Sequence, residues 1–255
     1  MVEAPWEADE PTISEQDGIR YLHFGTEWIQ GAMRIRRPND LVLAYTQQMM
    51  AWLLLLEPGS EDEVGILGLG AGSLLRYTLR HTSSQLSTVE WNPMVTAICR
   101  SQFRLPDSPR SYIHHGDAGE WVKDPDNFNR FSALMVDLYD AGAQGPVRGS
   151  PEFYADCARV LGDWGVMTVN LFGEHASFEP NLQGLRAAFP TGLFVLPEID
   201  AGNRIAIGVK GDLLEVSVGD FLDRAARIEK QYRLPATRWA RELLQQLHEG
   251  THRLS

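Results

Sequence analysis

A repeated alternation of apolar strand, turn and helix across residues 63–172 constrains the fold more than any other feature of the chain. The strand segments are nearly continuous apolar runs, which is typical of strands covered on both faces. They are EVGILGL, QLSTVEW, SYIHHG, FSALMVDL and GVMTVNLF, and a helical stretch follows each of the first four. The pattern predicts an α/β, Rossmann-like domain with a mainly parallel sheet and helices on both faces.

The segments that flank this alternation predict a small appendage and a C-terminal extension. Before it, GIRYLHF and EWIQGAMRI indicate a short N-terminal β-hairpin, and LVLAYTQQMMAWLLLL indicates one apolar helix. After it, TGLFVLPEI and NRIAIGVKG predict a closing antiparallel hairpin, followed by two amphipathic helices separated at Pro235. We therefore divide the chain into a hairpin region, 1–39, and a Rossmann-like catalytic domain with C-terminal helices, 40–255.

The charge and composition exclude several kinds of partner. A net charge of -11 is unfavourable for nucleic acid, because proteins that bind phosphate backbones need a basic face. The first residues carry no apolar leader, and the apolar run that ends at residue 56 is too short to cross a bilayer. Cys99 and Cys157 lack the spacing of metal ligands. The sequence thus predicts a cytoplasmic protein that uses no metal and binds neither nucleic acid nor membrane.

A glycine turn follows the first strand of the alternation and opens a helix. Gly68, Gly70 and Gly72 let the backbone approach a ligand at the helix N-terminus, and Glu90, at the end of the next strand, can accept hydrogen bonds from ribose hydroxyls. The spacing is G-x-G-x-G rather than G-x-G-x-x-G, which favours the fold of S-adenosylmethionine-dependent methyltransferases over a dinucleotide site. Tight packing of strand against helix is the alternative explanation for the glycines.

Asp117 ends the third strand of the alternation, within HHGDAGEW. Its carboxylate can hold an exocyclic adenine nitrogen, with the backbone of Ala118 contributing to the same site. It can equally be the N-cap of the helix that follows.

Two carboxylates, Asp137 and Asp140, follow the fourth strand and enter a loop rich in Gly and Ala. Two acids so close repel each other unless a cation lies between them, so the pair can bind a cationic group while one member acts as a base. The alternative is structural, because Asp also caps helices and satisfies the amides of turns.

The sequence around these acids resembles the spermidine synthase family, the polyamine aminopropyltransferases, and the resemblance extends over residues 16–209. That family has a D-x-x-D-P loop, then Gly-Pro, then a helix with EFY. Here the matching residues are Asp137-Leu-Tyr-Asp140, Gly145-Pro146 and Pro151-Glu-Phe-Tyr154. Upstream, VGILGLGAGSLLR, TVEWNP and GDA resemble the family's glycine turn, its VEID segment and its adenine-binding DDG.

The resemblance implies an enzyme that transfers an aminopropyl group from decarboxylated S-adenosylmethionine, or uses S-adenosylmethionine itself, with a polyamine such as putrescine as acceptor and a homodimer as the assembly. Asp137 would take the proton of the amine, and Asp140 would hold the same amine or a neighbouring ammonium. The implied co-substrate contacts are Gln16, Gly68, Gly70, Gly72, Glu90, Asp117, Ala118 and Pro146, and the implied amine contacts are Gln47, Asp137 and Asp140.

Several family positions are replaced. Ala71 stands where the family has an Asp that binds the aminopropyl ammonium, and Ala141 replaces the proline after the second acid. Thr46-Gln47-Gln48 replaces the family's YHE segment, and Pro197-Glu-Ile-Asp200 replaces its PTY stretch. Two alternatives therefore stay open: a methyltransferase that uses intact S-adenosylmethionine, and a non-catalytic homologue that binds an adenosyl ligand.

Overall fold

The computed structural model describes residues 10–139, 148–199, 202–212 and 216–248. It begins with a three-stranded antiparallel sheet made of β1 (Pro11–Gln16), β2 (Ile19–Phe24) and β3 (Gly31–Arg34). The sequence predicted only two of these strands. β1 was missed because its side chains are mostly exposed, so it lacks the apolar alternation of a half-buried strand.

The apolar segment after this sheet forms a shorter helix than predicted. Helix α1 spans Ala44–Met49, and the chain then tightens into a 3-10 segment, Met50–Leu54, whose side chains are all buried. Packing on every side decides this local geometry, and apolar periodicity alone does not report it.

The main sheet has seven strands in the order β6-β5-β4-β7-β8-β10-β9. Strands β4 to β8 are parallel, and β10 runs antiparallel to both β8 and β9, which confirms the predicted fold class and closing hairpin. The strands are β4 (Glu63–Leu67), β5 (Gln85–Glu90), β6 (Ser111–His115), β7 (Phe131–Val136), β8 (Leu161–Phe172), β9 (Gly192–Val195) and β10 (Asn203–Lys210).

Helices lie on both faces of this sheet, and the side chains of each central strand alternate between two apolar cores. In β7, Ala133 and Met135 belong to one core, and Leu134 and Val136 to the other. The helices are α2 (Ser73–His81), α3 (Pro93–Gln102), α4 (Ala118–Trp121), α5 (Pro151–Val160), α6 (Phe178–Ala188), α7 (Val218–Tyr232) and α8 (Ala236–His248). The sequence did not predict α6. No helix in the described ranges combines the length and apolar character needed to span a bilayer.

The strand order creates a crevice above the carboxyl ends of β4 and β7. The chain leaves β4 towards β5 on one side and reaches β7 on the other, and ligands of open α/β sheets bind at such a reversal. The amide of Asp137 donates to the carbonyl of Leu67 over 2.9 Å. The glycine turn and the first acid of the Asp137 loop are thereby neighbours.

Candidate active site

A cleft of about 1030 Å³ lies at this end of the sheet. Its floor comes from the residues that follow β4, β5, β6, β7 and β8, and the loop between β2 and β3 supplies one wall. The cleft therefore joins the N-terminal sheet to the main sheet, and both contribute to anything bound between them.

The glycine turn needs glycine at two positions that line this cleft. Gly68 has φ 95°, and a Cβ there would lie 2.1 Å from the carbonyl oxygen of Asp137. Gly70 has φ 50°, and its Cβ would lie 2.9 Å from the carbonyl oxygen of Gln30. Any side chain at these positions would push apart the backbone segments that form the cleft.

Glu90 ends β5 with its carboxylate in the cleft and only 8% of its surface exposed. Oε2 accepts from the Leu69 amide at 3.1 Å, and Oε1 accepts from the Asn92 amide at 2.8 Å. Burial raises the pKa of Glu90, and these backbone hydrogen bonds oppose the rise. A third backbone hydrogen bond comes from Trp91, and the acceptor capacity that the carboxylate keeps can take a hydroxyl of a ribose.

Asp117 lines the cleft and is also the N-cap of α4, where Oδ1 accepts from the Glu120 amide at 3.1 Å. Its other oxygen accepts from the guanidinium of Arg148. The capping role is thus confirmed, and Ala118 lies beside it in the cleft wall.

Asp137 lies at the base of the cleft with both carboxylate oxygens hydrogen-bonded. The Tyr45 hydroxyl donates to Oδ2 at 3.2 Å, and the Asn170 amide nitrogen donates to Oδ1 at 2.9 Å. Burial raises the pKa of Asp137, and the two donors oppose that rise. Burial and the neighbouring carboxylate raise the pKa of Tyr45 well above its ordinary value, so Tyr45 stays protonated as a donor.

Sequence reasoning missed both of these partners. Tyr45 directly precedes Thr46, and the family's YHE segment itself begins with tyrosine, so a register shifted by one residue would have identified it. Asn170 lies near the end of β8 and carries no motif. Only the pairing of β8 with β7 brings it to Asp137.

The structure brings together six of the predicted site residues: Gly68, Gly70, Glu90, Asp117, Ala118 and Asp137. Gly72 instead caps α2 in the left-handed conformation and does not line the cleft. Asp140 and Pro146 lie outside the described residues.

Two further predicted contacts lie away from the cleft. Gln16 is exposed and pairs with Ile19 next to the β1–β2 turn, whereas the cleft lies at the Phe24 end of β2, about 17 Å along the strand. The side-chain amide of Gln47 donates to the carbonyl of Leu41 at 3.1 Å, and Gln47 does not line the cleft.

Ala71, where the family carries an ammonium-binding Asp, is covered by strand β3. It is 2% exposed, and a Cβ added to Gly31 would lie 2.6 Å from the Ala71 Cβ. Position 71 therefore has no carboxylate and no space for one in this packing.

The cleft is acidic and has an apolar mouth. Among the described residues that line it, five carry a carboxylate and one is an arginine, Arg148, which is paired with Asp117. Trp28, Ile29 and Trp91 stand at its walls with 46%, 45% and 41% of their surfaces exposed. Such a cleft suits a ligand with flat apolar parts and positive charge.

Comparisons with known proteins agree with this chemistry. No family model matches the chain. The polyamine aminopropyltransferase of Chromobacterium violaceum is 33% identical over 200 residues, which cover 76% of this chain and 74% of the relative. The polyamine aminopropyltransferase of Neisseria meningitidis serogroup B is 28% identical over 225 residues, which cover 87% of this chain and 84% of the relative.

Solved structures share the fold. A probable spermidine synthase from Corynebacterium glutamicum has a TM-score of 0.70 at 18% identity, covering 95% of this chain and 91% of that one. Human methyltransferase-like protein 13, solved in complex with SAH, has a TM-score of 0.64 at 22% identity, covering 76% of this chain and 94% of that one. The same fold thus occurs in a probable spermidine synthase and in a methyltransferase-like protein, so structural similarity alone does not distinguish these families. Sequence identity does distinguish them, and this chain belongs to the polyamine aminopropyltransferase family.

Proposed function

We propose that this protein transfers an aminopropyl group from decarboxylated S-adenosylmethionine to a primary amine of a polyamine such as putrescine. The observation that carries the proposal is the Asp137 carboxylate at the base of the cleft, adjacent to the glycine turn and held by Tyr45 and Asn170. Membership of the aminopropyltransferase family supports the same reaction.

The residues of the cleft fit an adenosyl co-substrate. The backbone cradle at Gly68 and Gly70 is open only because a Cβ is absent at both positions. Glu90 would accept from the ribose hydroxyls, and Asp117 with Ala118 would lie at the adenine. Trp91, immediately after Glu90, would offer an aromatic surface to the base.

Asp137 then acts as the base. An alkylamine with a pKa of about 10 arrives protonated and cannot attack until it loses a proton. Asp137 accepts that proton, and the freed nitrogen lone pair attacks the methylene next to the sulfonium. The nitrogen–carbon bond forms while the carbon–sulfur bond breaks, and the bonding pair stays on sulfur as a neutral thioether. Burial raises the Asp137 pKa, which makes this carboxylate a stronger base than an exposed one.

The charge of the cleft favours a cationic acceptor. Glu27 and Glu174 add their carboxylates to those of Glu90, Asp117 and Asp137. A concave site lined mainly by one sign of charge concentrates ligands of the opposite sign. We propose Asp140 as a further contact of the amine, on the strength of the family's D-x-x-D loop.

The test is mass spectrometry of an amine panel incubated with the protein and decarboxylated S-adenosylmethionine. We expect one added aminopropyl group on a polyamine, with methylthioadenosine as coproduct. Asp137→Asn should lower turnover by about 10² to 10⁴-fold, the usual contribution of a positioned base, and leave methylthioadenosine binding intact. Exposed Asp163→Asn is the matched control. Unchanged turnover in Asp137→Asn would refute the assigned role.

A methyltransferase is the second candidate, and the buried Ala71 is the observation that favours it. Without the family's carboxylate at this position, decarboxylated co-substrate loses an ionic partner, and intact S-adenosylmethionine, which carries its own carboxylate, loses a source of repulsion. Calorimetry with both forms separates the candidates. Tighter binding of the intact form, with no aminopropyl product, would favour methyl transfer, and binding of methylthioadenosine without any turnover would indicate a non-catalytic homologue.

The homodimer, the cytoplasmic location and the division at residues 39 and 40 stay predictions. Light scattering on purified protein tests the first, fractionation of cells tests the second, and limited proteolysis tests the third.

A further inference from the structure

We propose that Asn170 binds the attacking nitrogen directly, with its Oδ1 accepting an N–H of the amine while its Nδ2 holds Asp137 in place. This inference rests on the proposed function and adds a second protein contact to the nucleophile. It predicts that the acceptor reacts through a primary amine.

The inference rests on the burial and the hydrogen bonding of the Asn170 side chain. Asn170 is only 3% exposed and lines the cleft, and its Nδ2 donates to Asp137 Oδ1 at 2.9 Å. Its Oδ1 is buried and has no hydrogen-bond partner among the residues that the structure describes. Buried polar atoms nearly always have a partner, and an unmet one costs about 1–3 kcal/mol.

The orientation of the amide follows from its neighbours. An ionised carboxylate only accepts hydrogen bonds, so the atom of the Asn170 amide that contacts Asp137 must be the nitrogen and not the oxygen. The backbone carbonyl of Asn170 already accepts from the Tyr139 hydroxyl at 3.2 Å. The side-chain oxygen is therefore the acceptor of Asn170 that has no described partner, in a residue that lines the cleft.

A primary ammonium fits this pair of acceptors. It has three N–H bonds, of which one gives its proton to Asp137 and a second can donate to Asn170 Oδ1. After the proton transfer, the contacts with Asp137 and Asn170 orient the nitrogen lone pair towards the methylene carbon. Such orientation of the reacting atoms is a large part of catalysis by proximity. A secondary amine has one N–H fewer after deprotonation and a substituent to place in the same space.

The titration of Asp137 depends on whether the groups around it change charge in the same pH range. Tyr45 from α1 and Tyr139 from the loop after β7 are the titratable groups coupled to it in the described part of the chain. Burial raises the pKa of both tyrosines, so both stay neutral between pH 6 and 9. Neither tyrosine therefore changes charge in this range, and a change in the acidic limb of activity between the wild type and an Asn170 variant is assigned to the lost contact with Asp137.

The experiment compares wild type, Asn170→Ala and Asn170→Ser with a primary diamine and its N-methylated form. We expect kcat/KM for the primary amine to fall about 10- to 100-fold in Asn170→Ala, as for a lost hydrogen bond to a charged group, and preference for the primary amine to shrink. The acidic limb should move to higher pH, because a donor to the ionised carboxylate is gone. Asn170→Ser serves if the alanine variant does not fold.

Thr168→Val is the matched control, because Thr168 lies two residues earlier on β8 and its hydroxyl donates to the Met49 carbonyl, outside the cleft. It should change stability without changing amine preference or the pH profile. An unchanged profile and preference in a folded Asn170 variant would overturn the inference. If the wild type shows no turnover with any amine, the proposed function is refuted instead. In that case the role of Asn170 is tested by calorimetry, and equal amine affinity in the wild type and Asn170→Ala would overturn it.

Discussion

The hydroxyl of Tyr45 lies 3.2 Å from Oδ2 of Asp137, although the two residues are 92 positions apart in the chain. Helix α1 brings the tyrosine and strand β7 delivers the acid, so this contact links the entry of the main domain to the end of its fourth strand. The neutral phenol stabilises the ionised carboxylate, which is the form that can take a proton.

Tyr45→Phe should therefore move the acidic limb of the kcat/KM profile to higher pH. Removing the donor destabilises the ionised carboxylate, its pKa rises further, and the active form is lost at a higher pH as the solution is acidified. At pH values below the limb, we expect kcat/KM of Tyr45→Phe to be lower than that of the wild type by about 10-fold or more. Rates measured between pH 5 and 9 provide the test, with exposed Tyr112→Phe as control. Superimposable profiles would contradict it.

Asp137→Asn should stabilise the protein increasingly as the pH rises. The folded pKa of Asp137 lies above its unfolded value of about 3.9, so its stabilising contribution is present below that value and lost as pH rises through the folded pKa. The variant lacks this dependence. In urea unfolding from pH 4 to 8, the unfolding free energy of the variant should exceed that of wild type by an amount that grows with pH. A difference that stays constant over this range would contradict the prediction.

Gly68→Ala should disrupt both stability and the cleft. The added methyl would need φ near 95° and would lie 2.1 Å from the Asp137 carbonyl oxygen. Backbone strain of this kind costs about 1–3 kcal/mol, and the backbone shift that relieves it would displace Asp137. We expect lower unfolding free energy in urea and weaker methylthioadenosine binding in calorimetry.

Gly219→Ala is the control for that variant, because the nearest atom to an added Cβ there is the Ser217 Oγ at 3.7 Å. Alanine should be neutral or stabilising in this first turn of α7. Equal stability of both variants would show that the glycine turn tolerates a side chain.

Ala71→Asp should destabilise the protein without restoring family-like binding. The new carboxylate would be buried against Gly31, and burying a polar group without a partner costs more than about 2 kcal/mol. Urea unfolding measures the loss, with exposed Ala226→Asp in α7 as control. Tighter binding of decarboxylated S-adenosylmethionine by a fully stable Ala71→Asp would show that strand β3 leaves room for the acid.

Much of the site follows from local sequence because it lies at strand ends. Gly68, Glu90 and Asp137 each come directly after or at the end of an apolar strand, and the carboxyl ends of parallel strands meet at one edge of a sheet. The periodicity of the strands was therefore enough to predict that these residues share a cleft. The antiparallel β10 was predictable from its own apolar run, which follows that of β9 with Gly202 between them.

Residues without a local signal were decided by tertiary packing alone. Gln16 carries a family motif but lies at the far end of its hairpin, whereas Asn170 carries none and contacts Asp137. Sequence determined the α/β fold, the glycine turn and the carboxylates at the strand ends, because backbone conformation and apolar periodicity are local properties. Only the tertiary structure decided that strand β3 covers Ala71 and that Tyr45 and Asn170 hold Asp137, because these contacts depend on how distant elements pack.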